Sequence, residues 1–506
     1  MIRASTGGRS RRPAASSSIA DPMRGKGAEA QQGGAARAIR RATARGALLA
    51  VLALPLSLSL PPAAGAETPA PDAARFELTP LQMRALAAKR LQRGDAATAM
   101  ELARALLARD ARDFSAQLLL AQAARAIGND GEAGTAARAA WDLASDDTER
   151  YAAALIRAQV LASAGHRTRA QLWLRRAAEA APNRATRARA IRDFKYVRLR
   201  NPWSTRLSFA VTPTDNLNNG SMHDSFTIDG LPWEFALSGD AQALSGVELS
   251  FGADTRYRLS QTEDRATDLM LRARHSGYLL SDEARAAAPD AEGSDFSSAS
   301  LAAGLSRRML LGETRDELVM SAWAGQNFHG GDPYGAFLRG EAKLSHSLSP
   351  RNRVSGTLSL ETRRGAAAPE ADVGLLSLGW DHAFGGGQLS LYGSFSRSTS
   401  DLSSADYRDL RLGARLSPRA RWLGESLGAD PSLTLEARSR DFDSSPYSLD
   451  GRLDEEIRAE LQLVFSELDY MGFNPVLTLE AARTRSNVAI YETRSSGLGL
   501  SIRSAF

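Results

Sequence analysis

The last ten residues, Gly497-Leu498-Gly499-Leu500-Ser501-Ile502-Arg503-Ser504-Ala505-Phe506, decide the fold. Read with a period of two, Leu498, Leu500, Ile502 and Phe506 share one face, interrupted by Ser504. Gly499, Ser501, Arg503 and Ala505 share the other. That is a strand with one apolar and one polar face, and it ends on an aromatic residue. An edge strand of a soluble sheet satisfies the alternation. A closing strand of an outer-membrane barrel satisfies both the alternation and the terminal Phe506, which then serves as the barrel-assembly signal.

The same alternation recurs upstream. Arg353 to Leu360 puts Val354, Leu358 and Leu360 opposite Arg353, Ser355, Thr357 and Ser359. Gln388 to Phe395 and Pro475 to Ala481 repeat it. After Arg200, Gly, Ser, Thr and aromatic residues rise and helical spacing disappears. About fourteen strands can be placed, starting near Thr205, Leu244, Thr267, Ser297, Asp316, Ala336, Arg351, Asp372, Gly387, Tyr407, Pro431, Arg452, Pro475 and Thr493. A soluble sandwich would bury a polar face of every one of them. A barrel in lipid turns the apolar face outward and keeps the polar face wet. Trp203, Trp233, Trp323, Trp380 and Trp422 are expected in an interfacial girdle. Gly385-Gly386-Gly387 reads as a tight periplasmic turn, and Ser281 to Ser294 and Arg364 to Glu370 as longer outer loops. Thr212 to Asp240 is the longest stretch without alternation.

The other end of the chain sets the compartment. Met1 to Arg45 is rich in Arg, Ala, Gly and Ser and has no apolar period, the composition of a disordered leader. Gly46 to Leu60 is an apolar run broken by Pro55, followed by Ala64-Gly65-Ala66. Basic flank, short apolar run and small-x-small site make a Sec signal peptide, with the mature chain starting near Glu67. Either Met1 or Met23 serves as the start. Cysteine is absent, which excludes disulfides, thiolate metal sites and a lipidated N-terminal Cys. The net charge of +5 is carried almost wholly by Arg, with Lys only at Lys26, Lys89, Lys195 and Lys343. No nucleic-acid module accompanies it.

Between these ends, Thr79 to about Asn183 is dense in Ala, Leu, Arg and Glu at helical spacing. Thr79-Pro80 reads as an N-cap and first turn. Gly94, Gly128 and Gly165 recur, each followed five residues later by Ala99, Ala133 and Ala170, with Ala140 and Ala177 further on and Pro182 after the third. This is the tetratricopeptide pattern, with Leu106 in place of a small residue in the first repeat. Such repeats offer a concave face to an extended peptide, a client or a periplasmic chaperone. The alternative is a helical spacer.

Catalytic chemistry finds no support. Gly424-Glu425-Ser426-Leu427-Gly428 has G-x-S-x-G spacing, but it falls in a turn between strands, not between a buried strand and a helix. His166, His223, His275, His329, His346 and His382 show no metal-ligand spacing. Gly325 to Gly331 lacks a phosphate-loop Lys. No catalytic, cofactor-binding or metal residue is assigned, and without a nucleotide site any transport must be driven by diffusion or by folding of the cargo outside.

Three stretches carry a family resemblance. Trp203 to Ser221, with Pro213-Thr214-Asp215-Asn216-Leu217-Asn218-Asn219, resembles the first strand and following "P-x-x-N-x-N" stretch of the Slam family, the surface lipoprotein assembly modulators. Trp323-Ala324-Gly325 with Pro333-Tyr334-Gly335 is a weaker correspondence. Tyr470-Met471-Gly472-Phe473-Asn474-Pro475, then Arg485-Ser486-Asn487 and Tyr491, is similar to that family's closing strands. The resemblance implies a fourteen-stranded barrel, a periplasmic helical domain and movement of a client across the outer membrane. The client it implies is a surface lipoprotein or a secreted haem- or metal-scavenging protein. The expected division is 1–66 leader and signal peptide, 67–78 linker, 79–200 tetratricopeptide-like α-solenoid and 201–506 outer-membrane β-barrel. Expected partners are the client, a periplasmic chaperone, the barrel-assembly machinery and outer-membrane lipid, with no nucleic acid and no cofactor. Asn216, Asn218 and Asn219 are candidate client contacts, since an amide side chain both donates and accepts; the alternative is that they cap turns. An exopolysaccharide export porin or a diffusion porin would share the same order of parts.

Overall fold

A computed structural model describes residues 77–365, 367–402, 405–421 and 428–504. The expected signal peptide, Trp422, the Gly424 to Leu427 part of the G-x-S-x-G stretch and Phe506 lie outside the described residues.

Among the described residues, seven helices precede the first strand: α1 (Pro80–Gln92), α2 (Ala96–Arg109), α3 (Phe114–Ala126), α4 (Asp130–Leu143), α5 (Asp147–Ser163), α6 (Arg167–Glu179) and α7 (Arg184–Arg200). Thr79 caps α1 in a capping box with Gln82, so two otherwise orphaned amides are satisfied at the start. Gly94, Gly128 and Gly165 end α1, α3 and α5 with φ of +86°, +78° and +82°, a backbone that L side chains rarely adopt. Each turn reverses the chain into a hairpin. Ala99, Ala133, Ala170 and Ala177 are fully buried where helices cross; their small side chains let the backbones approach. Helix α7 extends the array beyond the third repeat. Its Ala190, Phe194 and Val197 pack on Tyr151, Ala158, Trp173 and Leu174, covering the end of the solenoid that would otherwise be bare.

The strands are β1 (Trp203–Thr214), β2 (Ser225–Thr227), β3 (Glu234–Ala236), β4 (Gly246–Gln261), β5 (Arg265–Leu280), β6 (Ser298–Leu311), β7 (Asp316–His329), β8 (Asp332–Ser349), β9 (Asn352–Arg364), β10 (Ala371–Phe384), β11 (Gly387–Ser400), β12 (Tyr407–Pro418), β13 (Ala429–Phe442), β14 (Arg452–Phe465), β15 (Phe473–Ser486) and β16 (Thr493–Ser504). All except the small β2–β3 hairpin form one closed antiparallel barrel of fourteen strands, with β16 returning to pair β1. Closure removes the sheet edges, which hydrocarbon could not satisfy. The largest difference from the expected starts is at β8, which begins at Asp332 instead of Ala336, so Pro333 and Tyr334 belong to the strand.

Alternation fixes the faces. Leu498, Leu500 and Ile502 point outward and are about half exposed, as are Leu358, Leu360, Leu376 and Leu378. On β16, Gly499, Ser501 and Arg503 point inward. With the helices in the periplasm and an even strand number, both barrel ends of the chain face the periplasm. The turn 385–386 is then on the inner rim and loops 281–297 and 365–370 on the outer rim, as expected. The rule that inner turns are short fails at 466–472, while Gly330-Gly331 makes a two-residue turn on the outer side.

Trp323 corrects the girdle expectation. It pairs with Gly304 on the luminal face, and its ring occupies the space a Cβ at Gly304 would need, 2.7 Å away. The Arg272 guanidinium covers the ring at 4.5 Å. Trp203 and Trp380 do face outward near the inner rim. Trp203 packs on Tyr257 at 4.8 Å, and Trp380 heads a stack with His382 and Phe384. Trp233 lies in the loop after β1 and is exposed.

Candidate functional site

The candidate path has three parts: a charged lumen, a loop folded over its outer mouth and a clasp that fastens the helices to its inner rim.

Inward positions alternate with the lipid-facing leucines, so the polar residues of neighbouring strands meet across the ladder. Asp254 on β4 accepts from Arg272 at 3.1 Å and Arg274 at 2.6 Å on β5. Asp268 pairs with Arg258. Glu361 on β9 lies between Arg339 and Arg363. Asp409 on β12 accepts from Arg438 at 2.6 Å and Arg440 at 2.8 Å on β13. Arg438 and Arg458 in turn reach Glu456 at 3.6 Å and 3.0 Å. At Asp254, Glu361 and Asp409 one carboxylate serves two guanidiniums, so the wall is lined by paired charges. Such a surface holds water and suits polar cargo; it offers no dry pocket for an apolar ligand.

The outer mouth is spanned by residues 215–245, which follow β1. This loop contains the β2–β3 hairpin and bridges three other outer loops. Leu217 and Leu244 pack with Leu280, Ala284 and Ala288, where Asp282–Ala287 forms a short helix, α8. Met222 N donates to Glu492 O at 2.9 Å and Asp229 N to Tyr447 O at 3.1 Å. Phe226 meets Tyr447 edge-on at 5.2 Å. His223 Nε2 lies 2.7 Å from Glu492 Oε2, and this contact, with its neighbours, holds the Glu492 carboxyl below the usual carboxylate range.

The three asparagines divide. Asn216, 7% exposed, donates from Nδ2 to Gly220 O and Arg494 O, both at 3.0 Å, and accepts from Gly220 N at 2.8 Å. Asn218 donates to Asp240 O at 2.9 Å and Gln242 O at 2.7 Å and accepts from Leu244 N at 3.0 Å. Their amides bond backbone groups of the loop and, from Asn216, Arg494 at the start of β16. Asn219, with φ of +53°, instead lines a luminal cavity of about 370 Å³ beside Arg438, Arg440, Glu456, Arg458 and Tyr491.

The inner clasp has no local sequence signature beyond its turn. Turn 466–472, between β14 and β15, carries the Tyr470-Met471-Gly472-Phe473 motif. Met471 and Gly472 have φ of +51° and +75°, and Tyr470 and Phe473 exchange backbone hydrogen bonds at 3.0 and 2.9 Å, forming a two-residue hairpin turn of the primed type. Its exposed carbonyls meet α6. Arg175 donates to Met471 O at 3.0 Å, Gly472 O at 2.9 Å and Ser504 Oγ at 2.8 Å. Glu179 accepts from Met471 N at 2.9 Å, and Arg187 pairs with Asp469 at 2.7 Å. These charges look, in sequence, like any others on an Arg-rich helix. Only the turn motif marked the place.

Among the described residues, no cluster of three or more His, Asp or Glu is arranged to hold a metal ion. None of the described residues forms a helix long and apolar enough to cross a membrane, which does not bear on crossing by strands.

Comparison with known proteins places this geometry. No curated protein matches the chain. Among solved structures, the helical part is similar to the type III secretion translocator chaperone SycD of Yersinia enterocolitica, at 21% identity, TM-score 0.22, covering 24% of this chain and 88% of that one. The barrel is similar to a BenF-like porin of Pseudomonas fluorescens, at 9% identity, TM-score 0.32, covering 60% of this chain and 98% of the porin. It is likewise similar to a bacterial polysaccharide outer membrane secretin, at 6% identity, TM-score 0.31, covering 59% and 98%. The family model for the surface lipoprotein assembly modifier matches residues 203–506, the whole barrel from the first residue of β1 onward. The chain therefore belongs to the surface lipoprotein assembly modifier family, as an outer-membrane barrel preceded by periplasmic helices.

Proposed function

We propose that this protein moves a client polypeptide through the barrel lumen to the cell surface, without catalysis. The client is a surface lipoprotein or a secreted haem- or metal-scavenging protein, and the helical repeats receive it directly or from a periplasmic chaperone. Family membership supports the assembly role. The observation that carries the translocation reading is the clasp of Arg175, Glu179 and Arg187 on turn 466–472, because it keeps a peptide-binding type of surface at the inner rim. A fourteen-stranded wall with a hydrated, charge-lined interior suits an extended chain better than a folded domain. Asn219 and its arginine neighbours are the proposed client contacts at the outer mouth. Asn216 and Asn218 serve by shaping the loop that presents them.

The test is surface display of a co-expressed lipoprotein in cells carrying the Arg175→Ala/Glu179→Ala/Arg187→Ala triple variant. Display should fall while the barrel keeps its abundance and heat-modifiable migration. Normal display with a detached helical domain would overturn the handover. Unchanged display together with loss of surface polysaccharide would favour the export-porin alternative.

A further inference from the structure

Helix α7 carries two opposite stripes. Ala190, Phe194 and Val197 are buried in the solenoid. Arg192, Lys195, Tyr196, Leu199 and Arg200, at spacings of three, four, seven and eight residues, share the other face and are all exposed. Leu199 is 81% exposed and Tyr196 58%. The Arg200 guanidinium stacks on the Tyr196 ring at 3.7 Å. In water this face wastes apolar area. At a lipid headgroup layer the same mixture of Leu, Tyr and flexible cations is favourable.

The barrel says where the face lies. Only Asn201 and Pro202 separate α7 from β1. The first residue of β1, Trp203, points outward and packs on Tyr257 in the lipid-facing wall, so α7 ends at the periplasmic edge of the apolar belt. The clasp gives a second, independent indication. Arg175 covers the outward-facing ring of Phe473 at 4.4 Å and bonds the outward-facing hydroxyl of Ser504. Helix α6 thus engages outward-facing groups of the rim. Leu172, one turn before Arg175 on α6, is 60% exposed.

We infer that α6 and α7 lie on the inner leaflet of the outer membrane, with Leu172, Tyr196 and Leu199 set among the lipid headgroups and Arg192, Lys195 and Arg200 on lipid phosphates. The bilayer then acts with the clasp to orient the repeats beside the barrel. This goes beyond the transport reading and does not depend on the client.

The cysteine-free chain makes the test clean. Leu199→Cys and, as a control on α2, Glu101→Cys each provide a single nitroxide attachment site in the full-length protein. Both are reconstituted in vesicles of phosphatidylethanolamine and phosphatidylglycerol. Power-saturation measurements with oxygen and a water-soluble nickel reagent should place the first label about 5–10 Å into the interface and the control in water. Each cation near an anionic surface favours contact about fivefold, so Arg192→Gln/Lys195→Gln/Arg200→Gln should move the first label outward in these vesicles. Heat-modifiable migration confirms folding of every variant. A label at position 199 as water-accessible as the control would overturn the inference. A label that stays immersed in the triple variant would overturn its phosphate part.

Discussion

Glu179 on α6 accepts the backbone N–H of Met471 at 2.9 Å, across 292 residues of chain. This contact and the adjacent Arg175 bonds tie the helical domain to the turn that opens the last barrel hairpin. The tie is polar and small, so individual side chains matter.

Arg175→Ala removes three charge-assisted hydrogen bonds at once. Such bonds are worth roughly 1.5–3 kcal/mol each in a buried setting, and less here because the site is partly exposed. The helical domain should gain amide hydrogen exchange in α6 and α7 and become open to protease at 200–203. The barrel should keep its heat-modifiable migration. Arg175→Lys should rescue only part, because one ammonium cannot reproduce a planar fork that reaches two carbonyls and a hydroxyl. Full protection in the alanine variant would show that the clasp is not what holds the domain.

Gly472 sits at φ +75° in the primed turn. Gly472→Ala should strain it by about 1–2 kcal/mol, read as a lower midpoint of urea unfolding in vesicles. Met471 occupies the preceding left-handed position with an unfavourable side chain. Met471→Asn should therefore be neutral or stabilising, since Asn tolerates that backbone. An equal loss from both changes would point to side-chain contacts and not to turn geometry.

The outer loop should respond to acid. The Glu492 carboxyl is held below its ordinary value, chiefly by the hydrogen bond with His223. A carboxyl with a depressed folded value stabilises the closed loop above the ordinary carboxylate range, and that contribution is lost as pH falls through the folded value. Single-channel recordings should show more open time below about pH 4 than at neutral pH. Glu492→Gln should remove that pH dependence. Acid-induced opening that persists in the variant would place the sensor elsewhere.

Asn216→Ala and Asn219→Ala should separate. The first leaves buried loop amides and carbonyls without their partner, at roughly 1–3 kcal/mol, and should loosen the outer loop to added protease. The second should leave the loop closed and reduce client display. Equal effects on loop protection would remove the distinction between shaping and contacting residues.

The barrel and its inside-out patterning were legible in the sequence because period-two alternation is a local property, set by successive side chains pointing to opposite faces. The strand starts at Asp316, Gly387, Tyr407, Arg452 and Thr493 follow directly from it. The helix hairpins were legible for the same reason, since Gly94, Gly128 and Gly165 each mark a backbone that only glycine adopts easily. Tertiary structure alone decided which face of a given Trp meets lipid. Trp323 turned inward because register set it opposite Gly304, whose missing Cβ makes room for the ring. It also decided the clasp. Arg175, Glu179 and Arg187 acquire partners only when a turn almost 300 positions later is brought beside them. Nothing local distinguishes those charges from their neighbours, because a charge on a helix surface has no meaning until its partner arrives.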